Sequence, residues 1–383
     1  KDEWHPECER CRQEEINGIR SRREYESDDW AKWFGNHIDI DKAKEVTQED
    51  GTLDVEKQDI NFVDIRYGNF CNLKCRMCGP TDSHKWYEDH VKLTGRTHYK
   101  DTHEKIQLTK NDKGKYHTDQ YDWFQNNNMY WNNFEKYAAN AKKLYIVGGE
   151  PLIIDEHFES LERIVANGTA KDMRLEYNTN LTNVPPRLIK MWEKFKEVRI
   201  GVSIDGTGDV FNYQRTPANF DAVYQNMLKI DQNPNINLKG WFAFTVTPMN
   251  VFHFVEFMKW KLVSSGLTRF NPVSDSRPIV SHHMCHSPKY YNVKVLPQYL
   301  KDQVATHYQE HIDWVNTTDF SDKVKRDFAK VANGVLKFMM SEDYSTGMCW
   351  NDNTWLQEFV EVTTKLDEIR KQNILDIVPQ YRA

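Results

Sequence analysis

No run of about 18 consecutive apolar residues occurs anywhere in the chain, so no segment reads as a membrane-spanning helix. Positive charge is not in excess either. The 51 Lys and Arg residues stand against 57 Asp and Glu, giving a net charge of −6. That balance argues against bulk electrostatic binding of nucleic acid, which leaves a strongly basic face as its footprint. It leaves a nucleotide or a small RNA open as a substrate. A charged-then-apolar leader is missing from the start. The first residue is Lys1, and the chain opens in the middle of what reads as a motif, so the expectation is a sequence incomplete at its N-terminus. Internal repeats and low-complexity tracts are absent. Cysteine is scarce, with seven residues, an odd number, five of them in two tight groups. Spacings of two to three residues in a chain this long suit metal chelation rather than a disulfide framework, and point to a reducing cytoplasm.

What the chain does have is apolar and aromatic material: 12 Trp, 18 Tyr and 19 Phe are enough to bury a sizeable core. Its length suits one large catalytic domain with attachments, or two to three smaller units. From Ile60 onward, short β-like runs alternate with amphipathic helical stretches. The runs are Ile60–Tyr67, Lys143–Val147, Met173–Tyr177, Glu197–Ile204, Asn237–Val246 and Thr268–Val273. Between them, Asp155 is placed to cap a helix whose Phe158, Leu161, Ile164 and Val165 share a face. Pro185 and Pro186 stand where a first helical turn tolerates proline. Further faces are formed by Phe220, Val223, Met227 and Ile230, and by Phe254, Phe257 and Met258. Six strands alternating with helices predict an α/β fold with a parallel sheet and right-handed crossovers. Residues 92–128 are polar with little periodicity and read as an insertion making a surface excursion. The Trp and Tyr residues of 121–137 read as packing. After Ser274, helical segments are expected near 297–315, 320–341 and 353–373.

The first strand runs directly into Asn69-Phe70-Cys71-Asn72-Leu73-Lys74-Cys75-Arg76-Met77-Cys78-Gly79-Pro80. Spacings of four and three residues place three thiolates on one tight loop, able to occupy three corners of a cubane. A [4Fe–4S] cluster needs four ligands, so three cysteines leave one iron open to an exogenous molecule, as catalytic metal sites do. The alternative is a zinc site completed by a fourth residue such as His84.

This CxxxCxxC run at the end of a first strand resembles the cluster motif of the radical S-adenosylmethionine (SAM) superfamily. The resemblance implies a partial (β/α)6 TIM-like barrel. It also implies an enzyme whose [4Fe–4S] cluster, held by Cys71, Cys75 and Cys78, binds SAM at the open iron. SAM would be cleaved reductively to a 5′-deoxyadenosyl radical that takes hydrogen from a substrate. The position before the third cysteine, often aromatic in the family and leaning on adenine, is Met77 here, a polarizable substitute. Val147-Gly148-Gly149-Glu150-Pro151 resembles the GGEP motif that binds the SAM amino group; by itself it reads equally as a turn. Asn178-Thr179-Asn180 falls where the family carries polar residues near SAM, and Val202-Ser203-Ile204-Asp205-Gly206 resembles an SIDG-like segment. For Ser203 and Asp205 the plain alternative is a loop-starting cap. Arg215 is the candidate partner of the SAM carboxylate, or a surface charge. Thr247 and Asn250 close the fifth strand in a further familiar segment. The recurrence of polar groups at successive strand ends matches where such sheets and barrels put their sites.

At the front, His5-Pro6-Glu7-Cys8-Glu9-Arg10-Cys11 is similar to half of a twitch or SPASM motif. It implies a second, auxiliary iron–sulfur cluster on Cys8 and Cys11, with remaining ligands upstream or at Cys285 or Cys349. A zinc knuckle or an idle CxxC is the alternative. The expected organisation is an extension over 1–58, a barrel over 59–280 and a helical region over 281–383. Such attachments resemble those of peptide-modifying enzymes, so a peptide or protein substrate is expected, with an electron donor such as a flavodoxin or ferredoxin. A radical SAM enzyme acting on a nucleotide or small molecule, and a non-catalytic zinc-binding interaction module, are the rival readings. His282, His283, Cys285 and His286 form a metal-like group, against which consecutive histidines on a loop read as solvent-facing, and Cys349 reads as a buried small apolar residue.

Overall fold

A computed structural model describes residues 11–12, 15, 22–34, 44–54, 60–101, 104–125, 127–139, 141–272, 278–349 and 352–382. The chain divides into two compact units, Lys1–Asp59 and Ile60–Ala383. In the first, α1 (Arg22–Phe34) is its longest described element. Arg23 pairs there with Glu15 at 2.7 Å, and a bridge between Thr47 and Leu53 closes a short turn.

The second unit opens with β1 (Phe62–Arg66), followed by the cysteine loop and α2 (Trp86–Thr94), which ends on left-handed Gly95. Two small antiparallel hairpins come next, β2 (His98–Lys100) with β3 (Lys105–Gln107), and β4 (Thr109–Lys110) with β5 (Tyr116–His117). Helix α3 (Asn128–Asn133) is capped by the Asn127 side chain. After it the sheet resumes, with β6 (Lys143–Val147), α4 (Asp155–Ala166), β7 (Arg174–Thr179), α5 (Pro186–Trp192) and β8 (Glu197–Ser203). Then come α6 (Gly208–Gln214), α7 (Phe220–Asp231), β9 (Leu238–Val246), α8 (His253–Val263) and β10 (Ser281–Met284). Helices α9 (Gln298–Asn316), α10 (Asp322–Met340), α11 (Trp355–Arg370) and α12 (Ile374–Ile377) complete the described chain. No helix among the described residues is long and apolar enough to cross a membrane.

The six-stranded sheet runs in the order β1-β6-β7-β8-β9-β10, with every neighbouring pair parallel. A monotonic order with crossovers of one hand stacks the connecting helices on one face. The apolar positions obey this: Leu144, Ile146, Leu175, Val198, Ile200, Val202, Phe242 and Phe244 join Leu161, Trp192, Met227 and Phe257 in one core. The alternate positions carry charge. Lys143, Arg174 and Glu197 share one register, and Tyr145, Glu176, Arg199 and Lys239 the next but one. Glu197 pairs with Arg174 at 3.2 Å and Lys239 at 2.7 Å, while Glu176 takes Arg199 at 3.3 Å.

Two expectations change. The sixth strand of the sheet is the polar segment Ser281–Met284 beside β9; in the expected run Thr268–Val273, among its described residues 268–272, only Phe270 makes an isolated bridge, to Gly240. Asp155 does not cap α4; Ile154 holds the cap position and Asp155 lies in the first turn, where a carboxylate suits the helix dipole. The three C-terminal helices form within a residue or two of the expected bounds at most of their ends.

Candidate active site

The cysteine loop has no regular structure, so its backbone must be satisfied from outside. Asn69 Nδ2 donates to the Pro80 carbonyl at 2.8 Å and to Tyr87 Oη at 2.7 Å, closing the loop at its neck. Lys74 N–H donates to Thr216 O and Arg76 N–H to Gln214 O, both at 2.8 Å, which fastens the loop to the end of α6. Trp86 Nε1 donates to Cys75 O at 2.8 Å. His84 accepts the Cys71 N–H through Nδ1 at 3.1 Å and stacks on Phe70. Its nitrogen on that side is therefore occupied by the loop backbone.

The three thiols line one cavity of about 810 Å³, whose walls also include Gly148, Gly149, Glu150, Asn178, Asn180, Ser203 and Arg215. These come from the ends of β6, β7, β8 and α6, so residues far apart in sequence meet where the parallel strands finish. Met77 and Asp205 are not in the lining. Met77 packs instead among Leu73, Cys71 and Cys75. Burial pushes the Cys71 thiol up to about 12. Cys75 and Cys78 share a hydrogen bond that lowers the first thiol and raises the second.

The paired glycines are required by backbone approach. Gly149 has φ +52, and a Cβ there would stand 2.1 Å from Phe70 O. The adjoining Glu150 N–H donates to that carbonyl at 2.9 Å, seating the β6 end on the cysteine loop. The Glu150 carboxylate is 1% exposed, and burial raises it to about 7. It accepts from Leu152 N–H at 3.0 Å, Thr179 Oγ1 at 2.6 Å and Asn180 N–H at 2.6 Å, and so ties β6 to β7. Asn178 donates to Tyr145 Oη at 2.7 Å, and Asn180 to Asn72 Oδ1 at 2.9 Å. Asp205 pairs with Arg215 at 2.7 Å, and Arg215 Nη1 reaches Cys75 Sγ at 3.6 Å. Asn250 spans the ends of β8 and β9 by donating to Asp205 O and Thr245 O.

One wall was not foreseen. Asp101, Glu104, Gln120, Tyr121 and Trp123 of the 92–128 segment line the same cavity, together with Thr81 and Asp82. The segment is therefore no mere surface excursion. It sits on both shoulders of the cysteine loop: a Cβ on Gly68 would stand 2.7 Å from Tyr121 O, and one on Gly79 2.5 Å from Tyr99 Oη. Gly68 and Gly79, on either side of the cysteine loop, and a following Tyr-rich stretch were the available signal, and neither names its partner.

Among the described residues, no three His, Cys, Asp or Glu side chains converge to chelate a single ion. The cavity wall carries three thiols, the ligand type that iron–sulfur clusters take, beside the carboxylates of Asp82, Asp101, Glu104 and Glu150, and the cavity volume lies within the range of small-molecule sites. The residues present fit a cluster with an exogenous ligand next to it. Cys8 lies outside the described residues, and Cys11 is a free, half-buried thiol in the first unit. Cys285 is buried at the end of β10, and its thiol donates to Ser287 O at 3.4 Å. His282 and His283 are successive strand residues and so point to opposite faces.

No family model matches the chain, and no curated protein does. Among solved structures it is similar to anSMEcpe with bound AdoMet and a Cp18Cys peptide, at 16% identity and a TM-score of 0.38 over 66% of this chain and 58% of that one. It is also similar to Streptococcus suis SuiB bound to S-adenosylmethionine, at 12% identity and a TM-score of 0.35 over 67% and 46%. SuiB bound to the precursor peptide SuiA gives 13% and 0.34 over 66% and 47%. The chain thus spans less than two thirds of the length of these proteins. A likeness at this level decides neither fold nor reaction.

Proposed function

We propose that this chain is a radical SAM enzyme, its sheet the core of a partial (β/α)6 barrel and its [4Fe–4S] cluster held by Cys71, Cys75 and Cys78. One observation carries the reading. The three thiols of a CxxxCxxC loop share a single cavity with Gly148, Gly149, Glu150, Asn178, Asn180, Ser203 and Arg215, at the C-terminal ends of consecutive parallel strands. The meeting of these separate motifs in one cavity supports the reading.

When bound, the cluster and SAM supply one-electron reduction and radical hydrogen abstraction. The chain's own residues bind, orient and shield. The loop presents three sulfurs and no fourth cysteine, which leaves a coordination position for SAM. Glu150, buried at the strand end, is the acceptor for the SAM ammonium group, and a cation there would hold its carboxylate ionised against the burial that raises it. Asn178, Asn180 and Ser203 offer neutral donors and acceptors along the same wall, while Met77 supports the loop from behind. The insertion wall of Tyr121 and Trp123 keeps bulk water from the reacting end. The substrate is a peptide or protein reached through this cavity, and the electron comes from a flavodoxin- or ferredoxin-like donor. Cys8 and Cys11 belong to a second cluster in the first unit.

Anaerobically reconstituted protein should be brown, hold about four or more irons per chain and release 5′-deoxyadenosine with SAM and dithionite. Replacing Cys71, Cys75 and Cys78 together by Ala should abolish colour and release alike. Persistent release from that variant would refute the assignment.

A further inference from the structure

We infer that Arg215, tethered by the buried carboxylate of Asp205, is a positioning residue that sets the reduction potential of a cluster held at Cys75. The inference rests on the cluster reading above and goes beyond it.

The guanidinium is held at two points. Its Nε lies 2.7 Å from Asp205 Oδ2, and its Nη1 lies 3.6 Å from Cys75 Sγ. Arg215 is 7% exposed and Asp205 is fully buried, so water screens neither charge well. Asp205 is itself fixed. Its Oδ1 accepts the Thr245 N–H at 2.8 Å, and its carbonyl accepts from Gln214 Nε2 at 2.9 Å and Asn250 Nδ2 at 3.0 Å. The backbone of Arg215 is anchored by its N–H to Phe211 O at 2.9 Å. With both ends of the ion pair pinned, the cation stays at the sulfur.

Cluster potentials respond to net charge and to hydrogen bonds at the sulfurs. One-electron reduction adds a negative charge, which a cation donating to Cys75 Sγ stabilises and the Asp205 carboxylate opposes. Another cation near Cys75, Arg370, is also ion-paired, with its Nε 2.8 Å from Asp89 Oδ2, a carboxylate it shares with Lys74. Arg215 differs in the contact of its Nη1 with Cys75 Sγ, so the Arg215–Asp205 pair acts at this ligand directly, and its two members push the potential in opposite directions.

The test compares reconstituted full-length wild type with Arg215→Met, Arg215→Lys and Asp205→Asn. Iron is counted, and the cluster is titrated with dithionite in the absence of SAM, followed by electron paramagnetic resonance. Arg215→Met should lower the potential by at least a tenfold change in the reduction equilibrium, about 59 mV for a one-electron couple. Arg215→Lys should recover most of that loss. Asp205→Asn keeps an acceptor for the guanidinium while removing the negative charge, and should raise the potential. Shifts of the same sign in Arg215→Met and Asp205→Asn, or no shift in either, would overturn the inference while leaving the cluster reading intact. If Arg215→Met takes up no iron, Asp205→Asn decides: a potential at or below wild type overturns the inference. A wild type that assembles no cluster overturns both.

Discussion

Arg76, between the second and third cysteines of the triad, is ion-paired with Asp367 on α11 across 291 positions of sequence. Its guanidinium lies 3.7 Å over the Tyr213 ring, and Tyr213 Oη donates to the same carboxylate at 2.9 Å. Gln372 Oε1 accepts a further bond from Arg76 at 3.0 Å. The neighbouring pair repeats the device: Asp89 holds both Lys74 of the loop and Arg370 of α11 at 2.8 Å. Helix α11 is thus the brace of the cysteine loop.

Asp367→Ala should leave a buried cation short of its partner and destabilise the fold by about 3–5 kcal/mol, as broken buried pairs do. Denaturant unfolding of the iron-free protein measures this, and iron uptake on reconstitution should fall in parallel. A variant with wild-type stability and iron content would show that the brace is idle.

Gly149→Ala and Gly95→Ala form a matched pair. Both glycines have positive φ, +52 and +69, which costs an alanine about 1–2 kcal/mol. At Gly95 nothing lies within 4 Å of the added methyl, so the cost should stop there. At Gly149 the methyl meets Phe70 O, so the loop must shift and cluster uptake should be lost. Equal stabilities for the two variants would count against this packing account.

Stability should depend on pH through α8 and α9. Glu256 lies 2.9 Å from His253 Nδ1 and 3.3 Å from His307 Nε2. Its bond to His307 raises that imidazole above its usual 6.5, and the bonds from His253 and His307 hold the Glu256 carboxyl well below its usual 4.5. The raised histidine contributes fully below its unfolded value and loses the contribution as pH rises through the folded one. The lowered carboxylate contributes above its unfolded value and loses it as pH falls through the folded one. The contact is therefore strongest between about pH 4.5 and 6.5. The stability difference between wild type and His307→Gln, from urea midpoints, should shrink between about pH 5.5 and pH 8. A constant difference would exclude the ion pair as its source.

Because the insertion walls the cavity, adding SAM to reconstituted protein should slow amide exchange in residues 104–123 as well as in 69–80. Protection confined to the cysteine loop would mean that the insertion does not enclose the ligand.

Much of the frame was legible because apolar runs of strand length stood between turn residues. Lys143–Val147 forms over its expected bounds, and Glu197–Ser203 and Leu238–Val246 fall within a residue of theirs. The sixth strand was illegible for a physical reason. Ser281-His282-His283-Met284 is a short edge strand with no apolar run, whereas Thr268–Val273 had the composition of a strand but contains Pro272, which has no N–H for a ladder. At the site, the cysteine spacing and the Gly148-Gly149-Glu150 turn could be read because each motif is local. The Arg76–Asp367 and Gly68–Tyr121 contacts could not, since each depends on where a distant segment returns.

The separation of Arg76 from Asp367 orders events during synthesis. The cysteines leave the ribosome some 291 residues before the carboxylate that braces their loop, so iron delivered to the nascent chain would meet an unbraced loop. If the loop holds a cluster, ribosome-bound chains stalled before Trp355 should retain less iron than released ones.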